Sequence, residues 1–387
     1  MLMLLRINLL LLLLQEVAAG GEMLLRSVVP LAVICLIPQK NICLQCKGGA
    51  VPCICFFKCQ SMRKFLLFVN LFLLLLVAQN AFAQRALERG YRTLSEEQAR
   101  NYVGFLADDL LCGREAGCEG SYIAARYIIS LLKEWGIASF GDCSYTQSFD
   151  AYEVENENGI RWRLAPDSMV LSVRSLNNIL AVIPGKNRDE YVVVGAHYDH
   201  LGIGGAVDGD SCFNGADDNA SGVSAVLQIA KAIRMSGKQP ERSIVFAFWD
   251  GEEKGLLGST YFVQSWQEKE KIKAYVNFDM VGRGPVGNPS YLKYFYTSSH
   301  PWFGDWLRED MRRRGFCFTP DYVSWDKPYS GSDNAPFARA GIPIVWYHTE
   351  GHPDYHAPGD SAGKIDYPKL LDITRAAYLC VWRMANE

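Results

Sequence analysis

Ile244-Val245-Phe246-Ala247-Phe248-Trp249, followed at once by Asp250-Gly251-Glu252-Glu253, decides the fold. Six apolar residues in a row leave no polar side for solvent. The run therefore reads as a strand covered on both faces, the pattern of a sheet enclosed by helices. Asn178–Ile183, Tyr191–Ala196, Ala274–Phe278, Leu292–Tyr296 and Ile342–Tyr347 carry the same strand character. Pro184-Gly185-Lys186-Asn187 reads as a turn that makes the first two of these neighbours.

Helices alternate with these strands. Ser221–Ile233 buries Val223, Val226, Leu227, Ala230 and Ile233 on one face. Ser121–Trp135 carries a stripe of Ile123, Tyr127, Ile128, Leu131, Leu132 and Trp135, with Gly136 as its C-cap. Glu96–Leu111 and a closing segment from Tyr367 to Met384 are also predicted helical. Residues 140–178 read as irregular or short-stranded. The alternation predicts an α/β fold, a three-layer α/β/α sandwich around a central mixed, mostly parallel sheet. No internal repeat or hinge-like linker divides residues 84–387, which are expected to form a single domain.

With 49% apolar and 21% charged residues, the chain can bury a large core. A net charge of −3 and the absence of a long basic run argue against a nucleic-acid partner. The amino terminus differs from the rest. Met62-Arg63-Lys64 precedes the apolar stretch Phe65–Val77, and Ala81-Phe82-Ala83 supplies small residues for cleavage. Residues 62–83 thus read as a signal peptide, too short for a stable membrane span, and predict export to a periplasmic or extracellular location. Residues 1–61 are then expected to lie upstream of the true start at Met62, with a membrane-associated leader as the alternative. Cys43, Cys46, Cys53 and Cys55 lack the second well-spaced ligand pair of a zinc ribbon. Of the six later cysteines, Cys112 and Cys118 could close a small loop, and free buried thiols fit equally well.

Five metal-capable residues fall just past predicted strands or before a helix: His197, Asp218, Glu253, Asp279 and His356. Ligand sites of open α/β sheets gather beyond the carboxyl ends of the strands, so these residues converge on one rim. Two imidazoles and three carboxylates suit a pair of divalent ions with one carboxylate bridging. In an extended His197-x-Asp199 segment both side chains point the same way, and Asp199 would hydrogen-bond the imidazole's second nitrogen. Asp218 is the expected bridge and Asp217 the runner-up. Glu253 is expected as a ligand and Glu252, pointing elsewhere, as general base. Asp279, ending an apolar strand, would be costly unless paired or metal-bound. The residues alone do not choose among His348, His352 and His356.

From about Leu106 onward the chain resembles the M28 family of zinc aminopeptidases. Gly-Ala-His-Tyr-Asp-His at 195–200, Gly-Ala-Asp-Asp-Asn-Ala-Ser-Gly at 215–222 and Trp-Asp-Gly-Glu-Glu at 249–253 carry the likeness. Asn-Phe-Asp-Met-Val-Gly-Arg at 277–283, Ser-Asp-Asn-Ala-Pro-Phe at 332–337 and Tyr-His-Ala-Pro-Gly-Asp at 355–360 complete it in family order. The resemblance implies two zinc ions, one on His197, Asp218 and Asp279, the other on Asp218, Glu253 and His356. It implies Tyr355 as a group that steadies the oxyanion, and it includes Gly113-Arg114-Glu115 as an upstream family segment. Gly202–Asn214 is long and glycine-rich, a departure expected to shape substrate access. The implied activity is removal of the N-terminal residue from peptides by a water shared between the zincs, with Glu252 taking its proton. A one-zinc glutaminyl cyclase and a non-catalytic binding scaffold are the alternatives. Serine-hydrolase and dinucleotide-binding readings fail. No Gly-x-Ser-x-Gly occurs, and Val207 stands where Gly202-Ile203-Gly204-Gly205 would need its third fingerprint glycine.

Overall fold

A ten-stranded mixed sheet forms the middle layer of the protein. The computed structural model describes residues 67–69, 71–72, 81–141, 144–157, 159–325 and 331–387. Most of the expected signal peptide, all of residues 1–61 and Cys143 lie outside the described residues.

Residues Ala83–Glu387 form one compact unit. Helix α1 (Glu96–Leu106) starts at Ser95, whose hydroxyl accepts the Gln98 N–H, and places Glu96 and Glu97 in its first turn. It stops short of the expected Leu111 because Asp108 caps a separate 3-10 segment, Asp109–Arg114. Helix α2 (Glu119–Glu134) follows, and Gly136 takes the positive φ of a C-cap as expected. Its buried face is Ala124, Ala125, Ile128 and Leu132, whereas Ile123 is exposed.

Then come β1 (Ala138–Ser139), β2 (Thr146–Asn156), β3 (Gly159–Arg163), β4 (Met169–Ile183) and β5 (Asn187–His197). A hairpin of β6 (Gly202–Val207) and β7 (Asp210–Phe213) leads to helix α3 (Gly222–Ser236) and the central strand β8 (Arg242–Trp249). Helix α4 (Leu257–Ser265), β9 (Ile272–Phe278), β10 (Tyr291–Thr297), α5 (Trp302–Arg314) and β11 (Thr319–Trp325) follow. Helix α6 (Asn334–Arg339), β12 (Ile344–His348) and α7 (Tyr367–Asn386) close the chain.

The strand order is β11-β10-β12-β9-β5-β8-β4-β2-β3, with β1 against β4. At the centre β12, β9, β5 and β8 run parallel, and β10 and β11 are parallel to each other. The antiparallel strands β4, β2 and β3 extend one flank, and β10 runs antiparallel to β12 on the other. Alternate residues of β8 feed two cores. Ile244, Phe246 and Phe248 join the side covered by α1, α3 and α7. Val245, Ala247 and Trp249 join the side where α4 packs on α6. That division is why the run showed no polar face.

Two expectations fail. Strands β4 and β5 are not neighbours, because β8 is inserted between them and pairs with both. A strand apolar on both faces is best covered in the middle of the sheet, where both of its edges also find hydrogen-bonding partners. Residues 140–178 are not irregular: β2 and β4 are eleven and fifteen residues long. The first half of β4 is largely exposed, so burial left no strong alternation to read there. Cys112 and Cys118 are both free thiols rather than a disulfide.

The register leaves a projection. Strand β4 pairs with β8 over Ile179–Ile183, with Ile179 opposite Phe248. Its residues 169–177, with the facing parts of β2 and β3, continue past the end of β8 as a three-stranded antiparallel flap.

Candidate metal centre

The central parallel strands deliver the candidate residues to one rim. His197 is the last residue of β5, Glu252 and Glu253 lie in the turn after β8, and Asp279 follows β9. Asp218 lies in the irregular helical turn Ala216–Ser221 ahead of α3, and His356 in the loop after β12. His197, Asp218 and Asp279 are buried, and His356 is partly exposed.

Asp218 is the hinge of the arrangement. Its Oδ1 is 3.2 Å from His197 Nε2, and its Oδ2 is 3.2 Å from His356 Nε2. Asp279 Oδ1 is 3.5 Å from the same nitrogen of His197, and Glu253 Oε2 is 3.5 Å from that of His356. Five residues from five motifs thus form two groups that share one carboxylate. Glu252 faces the first group, with ligand atoms of His197, Glu252 and Asp279 all within 4.8 Å of one another. Glu253 faces the second, so the two adjacent acids do diverge.

The alternatives are separated by position. His348 donates through Nδ1–H to the Asp279 carbonyl, 2.7 Å away, and stacks on Trp346. His352 is buried behind the centre with Nε2 3.3 Å from Asp217 Oδ2. Asp217 itself turns away, its Oδ1 accepting from the Gly282 N–H and the Ser221 hydroxyl. Only His356 and Asp218 of these sets face the other candidates.

Asp199 meets the second nitrogen of His197 through its backbone carbonyl as well as its carboxylate. His197 Nδ1 is 3.1 Å from the backbone carbonyl of Asp199, while the nearer carboxylate oxygen is 3.6 Å away. The strand ends at His197, so the extended geometry that would align positions two apart stops there. The Asp199 carboxylate also accepts the N–H groups of Glu252 at 3.1 Å and Glu253 at 3.3 Å.

Three residues escaped the sequence reading. Asp360 performs for the other acid turn what Asp199 does for this one: its carboxylate accepts the N–H groups of Asp217 and Asp218, at distances down to 3.0 Å. His200, the last residue of the motif at 195–200, brings Nδ1 to 2.7 Å from Glu253 Oε1 and is buried. Its ligand atom also groups with those of Asp218 and Glu253. Arg114 is buried and donates to the carbonyls of Tyr198 (2.9 Å), Asn214 (2.6 Å), Gly215 (3.0 Å) and Leu106. It ties the His197 strand end to the loop leading into Asp218. Only the Gly-Arg-Glu family segment signalled it in sequence.

The electrostatics are those of a buried acid cluster. Burial pushes Glu252 well above the carboxylate range, against the opposing pull of His197. Burial, aided by Asp218, raises Glu253 to about 8. Burial also raises Asp218, but His200, His197 and His356 outweigh it and hold that group well below its ordinary value. Burial would lower the His197 imidazole, but Glu252, Asp199, Asp218 and Asp279 raise it well above its usual value. Such a concentration of buried negative charge is stable only when neutralised by protons or cations. Oxygen and imidazole donors converging at these separations fit zinc.

Tyr355 stacks on the His356 ring with centroids 3.8 Å apart and is 46% exposed. Burial, then the nearby acids Asp218, Asp279, Glu253 and Glu252, hold its phenol protonated and able to donate.

Residues 178–381 match the sequence model of peptidase family M28, and the chain belongs to that family. Over 169 residues it is 34% identical to leupeptin-inactivating enzyme 1 of Streptomyces exfoliatus, covering 43% of this chain and 34% of that one. Over 144 residues it is 35% identical to an aminopeptidase of Pseudomonas aeruginosa, covering 35% of this chain and 25% of that one. The chain therefore spans about a third or less of the length of these curated relatives. Among solved structures it resembles the LapA aminopeptidase of Legionella pneumophila, with TM-score 0.59, 21% identity and coverage of 78% and 74% of the two chains. The zinc aminopeptidase BSAP of Bacillus subtilis gives a TM-score of 0.57 at 18% identity, covering 76% and 96%. The glutaminyl cyclase of Porphyromonas gingivalis gives 0.56 at 17%, covering 74% and 98%. These likenesses establish the shared α/β/α fold. Among the described residues no helix is long and apolar enough to cross a membrane.

Proposed function

We propose that this protein is a two-zinc aminopeptidase that releases the N-terminal residue of peptides. One observation carries the reading: the two oxygens of Asp218 face two different histidines, each beside a second carboxylate. His197, Asp218 and Asp279 would hold one zinc, and Asp218, Glu253 and His356 the other. Zinc, when bound, supplies Lewis acidity to the scissile carbonyl and makes water acidic near neutral pH.

The residues around that centre supply the rest. Glu252 accepts a proton from the attacking water as its oxygen bonds to the carbonyl carbon. The same carboxyl then delivers the proton to the amine nitrogen as the C–N bond breaks. Its burial holds its proton affinity up, against the opposing pull of His197. The Tyr355 hydroxyl donates to the oxygen that gains charge. Asp199 and Asp360 hold the two acid-bearing turns by their backbone N–H groups, so the carboxylates are preorganised.

The cyclase fold likeness supports a second reading with one zinc on Asp218, Glu253 and His356. The placement of His197 against Asp218, with Asp279 beside the same imidazole nitrogen, favours the peptidase. Zinc per chain, measured by mass spectrometry alongside a panel of aminoacyl anilides, tests the choice. Two zincs with chelator-sensitive anilide hydrolysis are expected. One zinc with ammonia released from N-terminal glutamine would make the protein a cyclase.

A further inference from the structure

We propose that His200 is a positioning residue for the second zinc: its Nδ1–H holds one oxygen of Glu253 so that the other is presented to the metal as a single donor. This rests on the two-zinc reading and deepens it, from which residues would hold the second ion to what aims them.

The two oxygens of Glu253 face two different rings. Oε1 is 2.7 Å from His200 Nδ1, and Oε2 is 3.5 Å from His356 Nε2. Asp218 Oδ2 is 3.2 Å from that nitrogen of His356 but 3.8 Å from His200 Nδ1. Donors about 2.0–2.2 Å from a tetrahedral zinc lie roughly 3.3–3.6 Å from one another. The separations around His356 Nε2, Asp218 Oδ2 and Glu253 Oε2 therefore suit a shared cation. The 2.7 Å between His200 and Glu253 is the length of a charge-assisted hydrogen bond, so a proton rather than a metal lies between them. Glu253 must be ionised to hold zinc, and an ionised carboxylate only accepts, so Nδ1 carries the hydrogen. In the neutral imidazole Nε2 is then unprotonated, and it has no hydrogen-bond partner among the described residues.

The surroundings fix the ring in this orientation. His200 is buried, and its backbone N–H donates to the Arg114 carbonyl at 3.1 Å. Gly215, with a φ of 59°, brings its backbone against the imidazole. A Cβ there would stand 2.5 Å from ring Cδ2 and 2.1 Å from the Asp218 carbonyl oxygen. Glycine is therefore required where the ring and the Asp218 turn converge. The Glu253 main chain is anchored separately, its N–H donating to Asp199 Oδ2 at 3.3 Å. Consecutive residues of one motif thus hold Glu253 at two points, Asp199 at the backbone and His200 at the side chain. With Oε1 so occupied, Glu253 neither chelates with both oxygens nor turns from the ion, and its ordering precedes the metal.

The test titrates zinc out of the full chain with a competing chelator and reads two dissociation steps, with melting temperature as the folding control. His356→Ala identifies the step that belongs to the second zinc. His200→Phe keeps an aromatic ring and removes the Nδ1–H, so it should weaken that step about 10–100-fold and leave the first unchanged. His200→Asn sets an amide N–H where Nδ1 stood and should recover most of the loss. An unchanged second step in the Phe variant, or equal weakening of both steps, would overturn the proposal. Equal losses in the Phe and Asn variants would do so as well, by making the imidazole itself a ligand. A parent chain that binds a single zinc would instead overturn the two-zinc reading on which the proposal stands.

Discussion

Replacing Asp360 by Ala should weaken zinc binding without touching any proposed ligand. The Asp360 carboxylate is buried and accepts the N–H groups of both Asp217 and Asp218 at 3.0 Å. Truncation leaves two buried donors unsatisfied, at about 1–3 kcal/mol each, so the loop holding Asp218 loses roughly 2–6 kcal/mol of preference for its present shape. Relaxation and entering water recover part of that. Outer-shell losses at metal sites are typically about 10–100-fold in affinity, roughly 1.4–2.8 kcal/mol, and that is the expected outcome here. Asp360→Asn keeps one acceptor oxygen and removes the charge, so it should fall between parent and Ala variant. The assay is zinc dissociation by chelator competition, with melting temperature as a folding control. An Ala variant that binds zinc as tightly as the parent would refute the positioning argument. Equal losses in the Asn and Ala variants would move its basis from hydrogen bonding to charge.

The remaining predictions concern the centre itself. Glu252→Gln should keep both zincs and lower kcat by about 10²–10⁴-fold, the usual contribution of a positioned base, and surviving activity would remove Glu252 from that role. Asp218→Ala should lose metal, and full retention of two ions would sink the bridging assignment. Tyr355→Phe keeps the ring against His356, so a fall in kcat at constant zinc content would isolate the hydroxyl, and an unchanged kcat would exclude it. Chelated protein should lose stability as pH rises from about 6.5 to 8. Burial raises Asp250 and Asp333 to about 7 and Glu253 to about 8, so these acids bind protons more tightly folded than unfolded. His197 and His356, raised by neighbouring acids despite burial, act in the same direction. Zinc competes with those protons, so the loaded protein should show the opposite trend, and parallel melting curves with and without chelator would contradict this.

Local residue patterns determined the elements and the identities of the candidate ligands. Ile244–Trp249 announced a strand buried on both faces because burial demands an unbroken apolar run, and each motif carried its own donor chemistry. Helix ends marked by Ser95 and Gly136 were legible for the same local reason. What local pattern could not hold was anything set between distant segments. The insertion of β8 between β4 and β5 follows from whole-sheet packing, not from the Pro-Gly turn that joins them. The flap was invisible because an exposed strand half carries little burial signal. The choice of His356 over His348 and His352, and of Asp218 over Asp217, depends on side-chain direction across loops far apart in sequence. Asp199 and Asp360 each bind backbone N–H groups, which every non-proline residue possesses, so no residue type could have advertised their partners. Tertiary structure alone decides which amides meet which carboxylates, and that decision places the acids where two cations would lie.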